Sequence, residues 1–276
     1  MSDFFRASLL EQEAINLRFR LIKGCKRCGG KGRLATKDYD RETLSYKTFP
    51  CWCTRRYIYL LDLLIAGVKE QQAIEIVTKA AEECWVTEID LANGKEKDST
   101  KLYKEHLGTY VKNLDKVIEN GYSYLFVGIN STGKTFAALK VLHHFLKMGK
   151  SGHYIKFRKL MKLINRAIAG GKQERQIADR LLDEILKVDF LVIDELGRET
   201  GNREHIASEI DEILKDRDMA SSPTFVVTNR DFEDVEDLYE GGNSAIVSAF
   251  MRSYRLLIFD PDNDFRKTSR EQEWFD

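Results

Sequence analysis

"YLFVGINSTGKT", residues 124–135, joins four apolar residues to a glycine-flanked loop that ends in Lys-Thr. The apolar part reads as a strand over 122–127, and the amphipathic stretch 134–148 beyond the loop reads as a helix. Between them the loop carries G-x-x-x-x-G-K-[ST] spacing, in the strand–loop–helix setting that gives this spacing its meaning. Its backbone N–H groups, over Gly128, Ser131, Thr132 and Gly133, converge with the helix N-terminus on anionic phosphates. Lys134 then reaches the outer phosphates of a nucleotide, and the Thr135 hydroxyl ligates Mg²⁺.

On either side of this loop the chain alternates. Further strands are expected at 153–157, 189–193, 224–228 and 256–259. Helices are expected at 101–119, 158–169, 174–187, 203–217 and 243–254. Strands separated by helices imply βαβ units, and hence an α/β domain with a parallel sheet flanked by helices.

The strand "FLVI", 190–193, runs into two acids, Asp194 and Glu195. Burying carboxylates costs several kcal/mol unless a cation offsets it. A magnesium ion held partly by Asp194 supplies that cation, as the strand-end acid does in P-loop enzymes. Glu195, expected to point elsewhere by strand alternation, can orient and deprotonate the water that attacks the γ-phosphate. A third apolar strand, "TFVVTNR", 224–230, ends at Asn229, placed to hydrogen-bond the γ-phosphate or that water. A GTPase would carry a guanine-reading N-K-x-D motif, and "NRDF" is not that motif.

These stretches resemble the AAA+ ATPases of the DnaC/DnaI helicase-loader and IstB type. The likeness runs over about residues 107–266, through "TYVKNLDKVIENGYSYLFVG", "HYIKFRKLMKLI", "DFLVIDELG" and "TFVVTNR". It implies Walker A roles for Lys134 and Thr135, Walker B roles for Asp194 and Glu195, and sensor 1 for Asn229. It also implies an arginine finger within "AFMRSYR", Arg252 before Arg255, acting on a neighbouring subunit of a homo-oligomer. No C-terminal helical lid is expected after the last strand. One departure stands out: Ser131 occupies a position where the family usually has glycine.

The N-terminal part differs in character. "CKRCGG", 25–30, and "CWC", 51–53, place Cys25, Cys28, Cys51 and Cys53 in two close pairs. Four thiolates so arranged suit a closed, tetrahedral Zn²⁺ site of structural kind, with buried or redox thiols as the alternative. Residues 1–22 read as an amphipathic helix, and two helical patterns follow at about 55–67 and 69–85, with Cys84 on an apolar face. The polar stretch "ANGKEKDST", 92–100, suggests a boundary, giving a zinc-binding and helical partner-binding domain over 1–98 and an ATPase domain over 99–276.

The 276-residue chain has no net charge, but its charges are segregated. Residues 1–60 carry thirteen basic and six acidic residues, 140–180 eleven and two, and 183–242 six and eighteen. Arg158, Lys162 and Arg166 share one face of the expected helix after 157, with Lys159 adjacent. That stripe can track the phosphates of single-stranded DNA, or serve only as a solvated face. No apolar run approaches the length of a membrane span, and a cytoplasmic location, in a bacterial cell or a phage-infected one, is expected.

The resemblance therefore implies an ATP-, Mg²⁺- and Zn²⁺-dependent replication protein that loads or remodels a hexameric replicative helicase on single-stranded DNA. Three alternatives are an ATPase assisting a transposase, a non-hydrolysing ATP-bound adaptor, and a small-molecule kinase on the same scaffold. The kinase would need a second substrate pocket and a phosphoryl acceptor, and the sequence shows no lid-like arginine cluster for them.

Overall fold

The computed structural model of the chain describes residues 19–40, 45–80, 83–91, 95–96, 98–197, 203–238 and 245–262. Most of the helix expected over 1–22, and the segment after the last strand where a lid was not expected, lie outside these residues. The chain divides into two compact units between Lys79 and Ala80.

In the first unit a hairpin pairs β1 (Arg33–Asp40) antiparallel with β2 (Ser45–Pro50), with Leu34 opposite Phe49. Two helices follow, α1 (Trp52–Ile65) and α2 (Glu70–Thr78). The first buries Leu60, Leu63 and Leu64; the second buries Ala73 and Ile76. Their connection is a helix stop that needs glycine. Gly67, at φ 91°, turns the chain so that its N–H reaches Leu64 O and that of Val68 reaches Leu63 O.

This division lies before the boundary expected within 92–100. The helix expected to run to residue 85 is shorter, and Trp85–Asp90 form strand β3, antiparallel to the last strand of the main sheet and so part of the second unit. Its side chains alternate, Trp85 exposed, Val86 buried, Thr87 half-buried and Glu88 buried, as those of a strand with one covered face do. Helix α2 stops at Thr78, and Cys84 lies buried just before β3 rather than on a helix.

The second unit carries two short strands, β4 (Lys95–Glu96) and β5 (Thr100–Lys101), each paired with β3. A π-helical turn, Leu102–Leu107, leads to α3 (Gly108–Lys112) and α4 (Leu114–Asn120). The remaining strands are β6 (Ser123–Val127), β7 (Gly152–Lys156), β8 (Phe190–Leu196), β9 (Thr224–Thr228) and β10 (Tyr254–Phe259). The helices are α5 (Lys134–Lys147), α6 (Phe157–Ala169), α7 (Lys172–Leu186), α8 (Arg203–Met219), α9 (Phe232–Leu238) and α10 (Ala245–Ser253). Across the sheet the order is β4-β3-β10-β6-β9-β8-β7, and β10 through β7 are parallel.

All five expected strands are present. Every residue of β6 and β9 is buried, which is why they read as continuous apolar runs rather than alternating ones. Phe145 of α5 stacks on Phe190 at 4.3 Å, and Phe190 meets Phe225 edge-on at 4.9 Å, so helix and sheet are fixed by aromatic contact.

One buried cation holds the lower end of this layer. The guanidinium of Arg217 donates to Thr224 Oγ1 (2.7 Å) and to the carbonyls of Leu186 (2.5 Å), Val188 (3.0 Å) and Pro223 (3.0 Å). It thereby ties the end of α7 to the start of β9, and burial lowers its pKa to about 10. Parallel strands anchored at this end present their C-terminal ends, and the loops that follow them, on the opposite edge.

Candidate functional site

Three of those C-terminal ends carry the candidate residues, and a fourth adds two that were not foreseen. After β6 the loop turns at Gly128, φ 131°, where a Cβ would come within 2.8 Å of the Phe259 carbonyl oxygen. Ser131 is left-handed at φ 76° and Gly133 at φ 88°. The left-handed region costs a non-glycine residue roughly 1–2 kcal/mol. The conformation that glycine would adopt freely is therefore imposed on Ser131.

Helix α5 starts at Lys134 without a side-chain cap, which leaves its first-turn N–H groups open to an anion. Lys134 is 3% exposed, and its ammonium lies within the loop. It donates to Gly128 O at 2.7 Å, to Thr132 Oγ1 at 3.1 Å and to Ile129 O. The loop thus turns oxygen acceptors of its own, two carbonyls and a hydroxyl, onto the cation.

Thr135, one residue into α5, faces the end of β8. Its hydroxyl lies 3.3 Å from Oδ1 and 3.2 Å from Oδ2 of Asp194. Asp194 is 4% exposed, and burial raises its pKa. Hydrogen bonds from the Tyr154 hydroxyl, the Glu195 N–H and Thr135 oppose that shift, while the Glu195 charge adds to it. A buried carboxylate and a hydroxyl in contact form a hard-oxygen pair that fits Mg²⁺, which takes most of its other ligands from water and phosphate. Any such ion would polarise the phosphate oxygens it bound.

Glu195 departs from simple strand alternation. The pairing of β8 with β9 shifts between Ile193 and Leu196, and Glu195 sits in that irregularity at φ 62°. Such strain in a bulky residue is kept only where the surroundings impose it. The side chain, still partly exposed, meets the Lys156 ammonium, with Nζ 2.6 Å from Oε1. Sequence reading missed Lys156 and Tyr154. Both lie on β7, and their partners become visible only once β7 is known to pair with β8.

Asn229 follows β9 and is half-buried. The neighbouring Arg230 donates through Nε to Gly197 O at 3.0 Å, and Thr228 Oγ1 donates to Leu196 O at 2.9 Å, so the ends of β8 and β9 are laced together. Arg252 and Arg255 are not brought to this site. Tyr254 pairs with Ser123 at the start of β6, the end of the sheet opposite the loop. There Arg252 lies 3.4 Å from Asp218, and Arg255 lies 3.0 Å from the buried carboxylate of Glu88.

On α6, Arg158, Lys159, Lys162 and Arg166 are all exposed, opposite buried Phe157, Leu160, Met161 and Ile164. Among the described residues none of the four is ion-paired.

In the first unit the four cysteine sulfurs lie within 4.8 Å of one another. Cys25 and Cys51 are 3.9 Å apart and Cys28 and Cys53 3.6 Å. A tetrahedron with Zn–S arms of about 2.3 Å has edges of about 3.8 Å, so the spacing fits zinc. None of the cysteines is in a disulfide. The backbone N–H of Cys28 helps lower the Cys25 pKa to about 7, whereas burial raises that of Cys53 to about 12.

Fold and site define a P-loop nucleotide-binding domain of the AAA+ type, joined to a small unit with a four-cysteine cluster. The family profile described as IstB-like ATP binding protein matches residues 80–257, and the chain belongs to that family. The match begins at the division between the two units.

Among curated relatives, the replicative helicase loader DnaC of Escherichia coli (strain K12) is 31% identical over 158 residues. That alignment covers 54% of this chain and 61% of the relative. DnaC of Buchnera aphidicola subsp. Baizongia pistaciae is 29% identical over 157 residues, with the same coverage. The chain thus spans less than two thirds of these relatives' length. A crystal structure of the DnaC helicase loader aligns with a TM-score of 0.46 and 23% identity, over 56% of this chain and 86% of that one. The DnaI crystal structure gives 0.44 and 19%, over 64% and 90%.

Proposed function

We propose that the chain is an ATP-hydrolysing replication protein that loads or remodels a hexameric replicative helicase on single-stranded DNA. The observation that carries the ATP chemistry is the contact between Thr135 and Asp194 at the foot of the amide-lined loop, with Glu195 one residue on. The helicase partner is taken from the DnaC relatives, whose printed names describe them as replicative helicase loaders.

In this reading the amides of residues 128–133 and the Lys134 ammonium hold the phosphates. Lys134 exchanges its bonds to the loop carbonyls for phosphate oxygens. Thr135 and Asp194 hold Mg²⁺, which draws electron density from the γ-phosphate when bound. Glu195 takes the proton of the attacking water, and Asn229 orients it. For that, Glu195 must give up at least part of its contact with Lys156. Arg252, remote from its own loop, serves the nucleotide of a neighbouring copy, so turnover depends on a homo-oligomer. A zinc ion held by Cys25, Cys28, Cys51 and Cys53 keeps the first unit folded for partner binding.

The test is capture of a hexameric replicative helicase by the full chain. Retention that changes between ATP and ADP supports the loader reading. No retention in either state, or retention of a transposase instead, overturns it. Substitution of Arg158, Lys162 and Arg166 by Glu should weaken binding to a single-stranded oligonucleotide by tenfold or more and flatten its salt dependence. Unchanged affinity in a filter or anisotropy assay assigns this helix face to solvent.

A further inference from the structure

The residue roles considered so far come from three strands and the helix after the loop. Strand β7 contributes a group that those roles leave unexplained. Tyr154 lies directly across from Val192 on β8, two residues before the acids. Its side chain is buried at 5% exposure, and its hydroxyl donates to Asp194 Oδ2 at 2.9 Å.

Burying a phenol hydroxyl costs free energy unless it finds an acceptor, and phenylalanine would fill the same space without that cost. The hydroxyl therefore has to be accounted for by what it holds. Asp194 has three donors: the Glu195 N–H at 2.8 Å on Oδ1, the Tyr154 hydroxyl on Oδ2, and the Thr135 hydroxyl near both. A Thr135 hydroxyl oxygen that ligates a metal is committed to it. The two donors independent of the metal are then Tyr154 and the Glu195 N–H, one for each carboxylate oxygen. Together they fix the rotation of the carboxylate about its Cβ–Cγ bond. Of the two, Tyr154 is the one that a side-chain substitution can remove.

We propose that Tyr154 is a positioning residue for the metal-binding carboxylate, its hydroxyl holding Asp194 in the orientation in which Asp194 and Thr135 receive Mg²⁺ together. This rests on the nucleotide reading above and extends it to a residue that touches neither metal nor nucleotide. It also makes β7 a partner of both acids, through Tyr154 to Asp194 and Lys156 to Glu195.

The experiment uses the full chain with Tyr154→Phe, which keeps the ring and removes the hydroxyl. Mn²⁺ is titrated in the presence of a non-hydrolysable ATP analogue and followed by the EPR signal of the free ion. In parallel, a fluorescent nucleotide is bound in EDTA, and the thermal midpoint is recorded in EDTA. Outer partners of metal ligands typically contribute 10–100-fold in metal affinity. The expected result is a loss of about tenfold or more in Mn²⁺ affinity, with metal-free nucleotide affinity and thermal midpoint unchanged. In an Asp194→Asn background the same substitution should produce no further loss, because the group it holds has already been altered.

Equal Mn²⁺ affinity in Tyr154→Phe overturns the proposal. So does a loss that persists undiminished alongside Asp194→Asn, or one matched by a fall in EDTA nucleotide affinity, since either places the effect elsewhere. A wild-type chain that binds no nucleotide under any condition overturns the nucleotide reading itself, a different result from a nucleotide-bound chain indifferent to Tyr154.

Discussion

Lys134→Ala is expected to abolish nucleotide binding, and Glu195→Gln to keep binding while losing turnover. The two differ because the residues meet the nucleotide at different stages. Lys134 is buried among loop carbonyls, and its charge is what makes that pocket attractive to a triphosphate. Alanine leaves the Gly128 and Ile129 carbonyls pointing into a site that must now accept an anion, so binding to a fluorescent ATP analogue should fall below detection. Glutamine at 195 keeps the size of the side chain and leaves the Asp194–Thr135 contact intact, so affinity should stay within a few-fold. What it loses is the ability to accept a proton. General bases typically contribute 10²–10⁴-fold, so steady-state phosphate release should fall by about that factor. Removing the carboxylate also breaks the pairing with Lys156. A Lys156→Ala control therefore separates loss of the ion pair from loss of the base. Undiminished turnover in Glu195→Gln would remove Glu195 from the mechanism.

This pair of predictions was available from sequence because its chemistry is local. The spacing from Gly128 to Thr135 is fixed by how a backbone wraps an anion, and Asp194 and Glu195 mark themselves by ending a run of apolar residues. The parallel strands were equally legible, being buried on both faces and bounded by helices. What failed to show was anything set by a neighbour in space. Tyr154 and Lys156 matter through strand pairing across 38 and more residues of chain, and nothing in "HYIK" announces it. The direction of Glu195 depends on a shift in register between β8 and β9, not on its parity within β8. Strand β3 was hidden for another reason. It is six residues long, half-buried and follows a helix without a strong breaker, so its period of two was too short to compete. The left-handed backbone of Ser131 could be suspected only because a glycine is usual there.

The largest effect expected outside the nucleotide site is loss of the fold between Cys25 and Cys53 when Cys51 and Cys53 both become serine. The hydrophobic cluster around these sulfurs is small. Its buried members are Ile22, Cys28, Cys51 and Cys53, with Cys25, Leu34 and Tyr57 partly buried against it. A core of that size cannot offset the chain entropy of a hairpin and its turns, at about 1–2 kcal/mol per residue. A structural zinc ion contributes roughly 10–16 kcal/mol of apparent binding free energy, which in such modules is folding free energy. Of the two thiolates replaced, Cys51 lies between β2 and α1 and Cys53 in the first turn of α1; the Cys51 N–H also bonds Gly32 O at 2.8 Å and so joins the two cysteine segments. Serine there removes two ligands and leaves a pair of thiols too few to close a tetrahedron. Metal analysis should fall from one zinc per chain to none, and backbone amides between Cys25 and Cys53 should lose protection from hydrogen exchange. Nucleotide affinity should hold, because the amides, Lys134, Thr135 and Asp194 all lie beyond Ala80. Wild-type protein free of zinc yet fully protected over these residues would mean that packing alone holds the cluster, and the four sulfurs would have to be read as a buried thiol core.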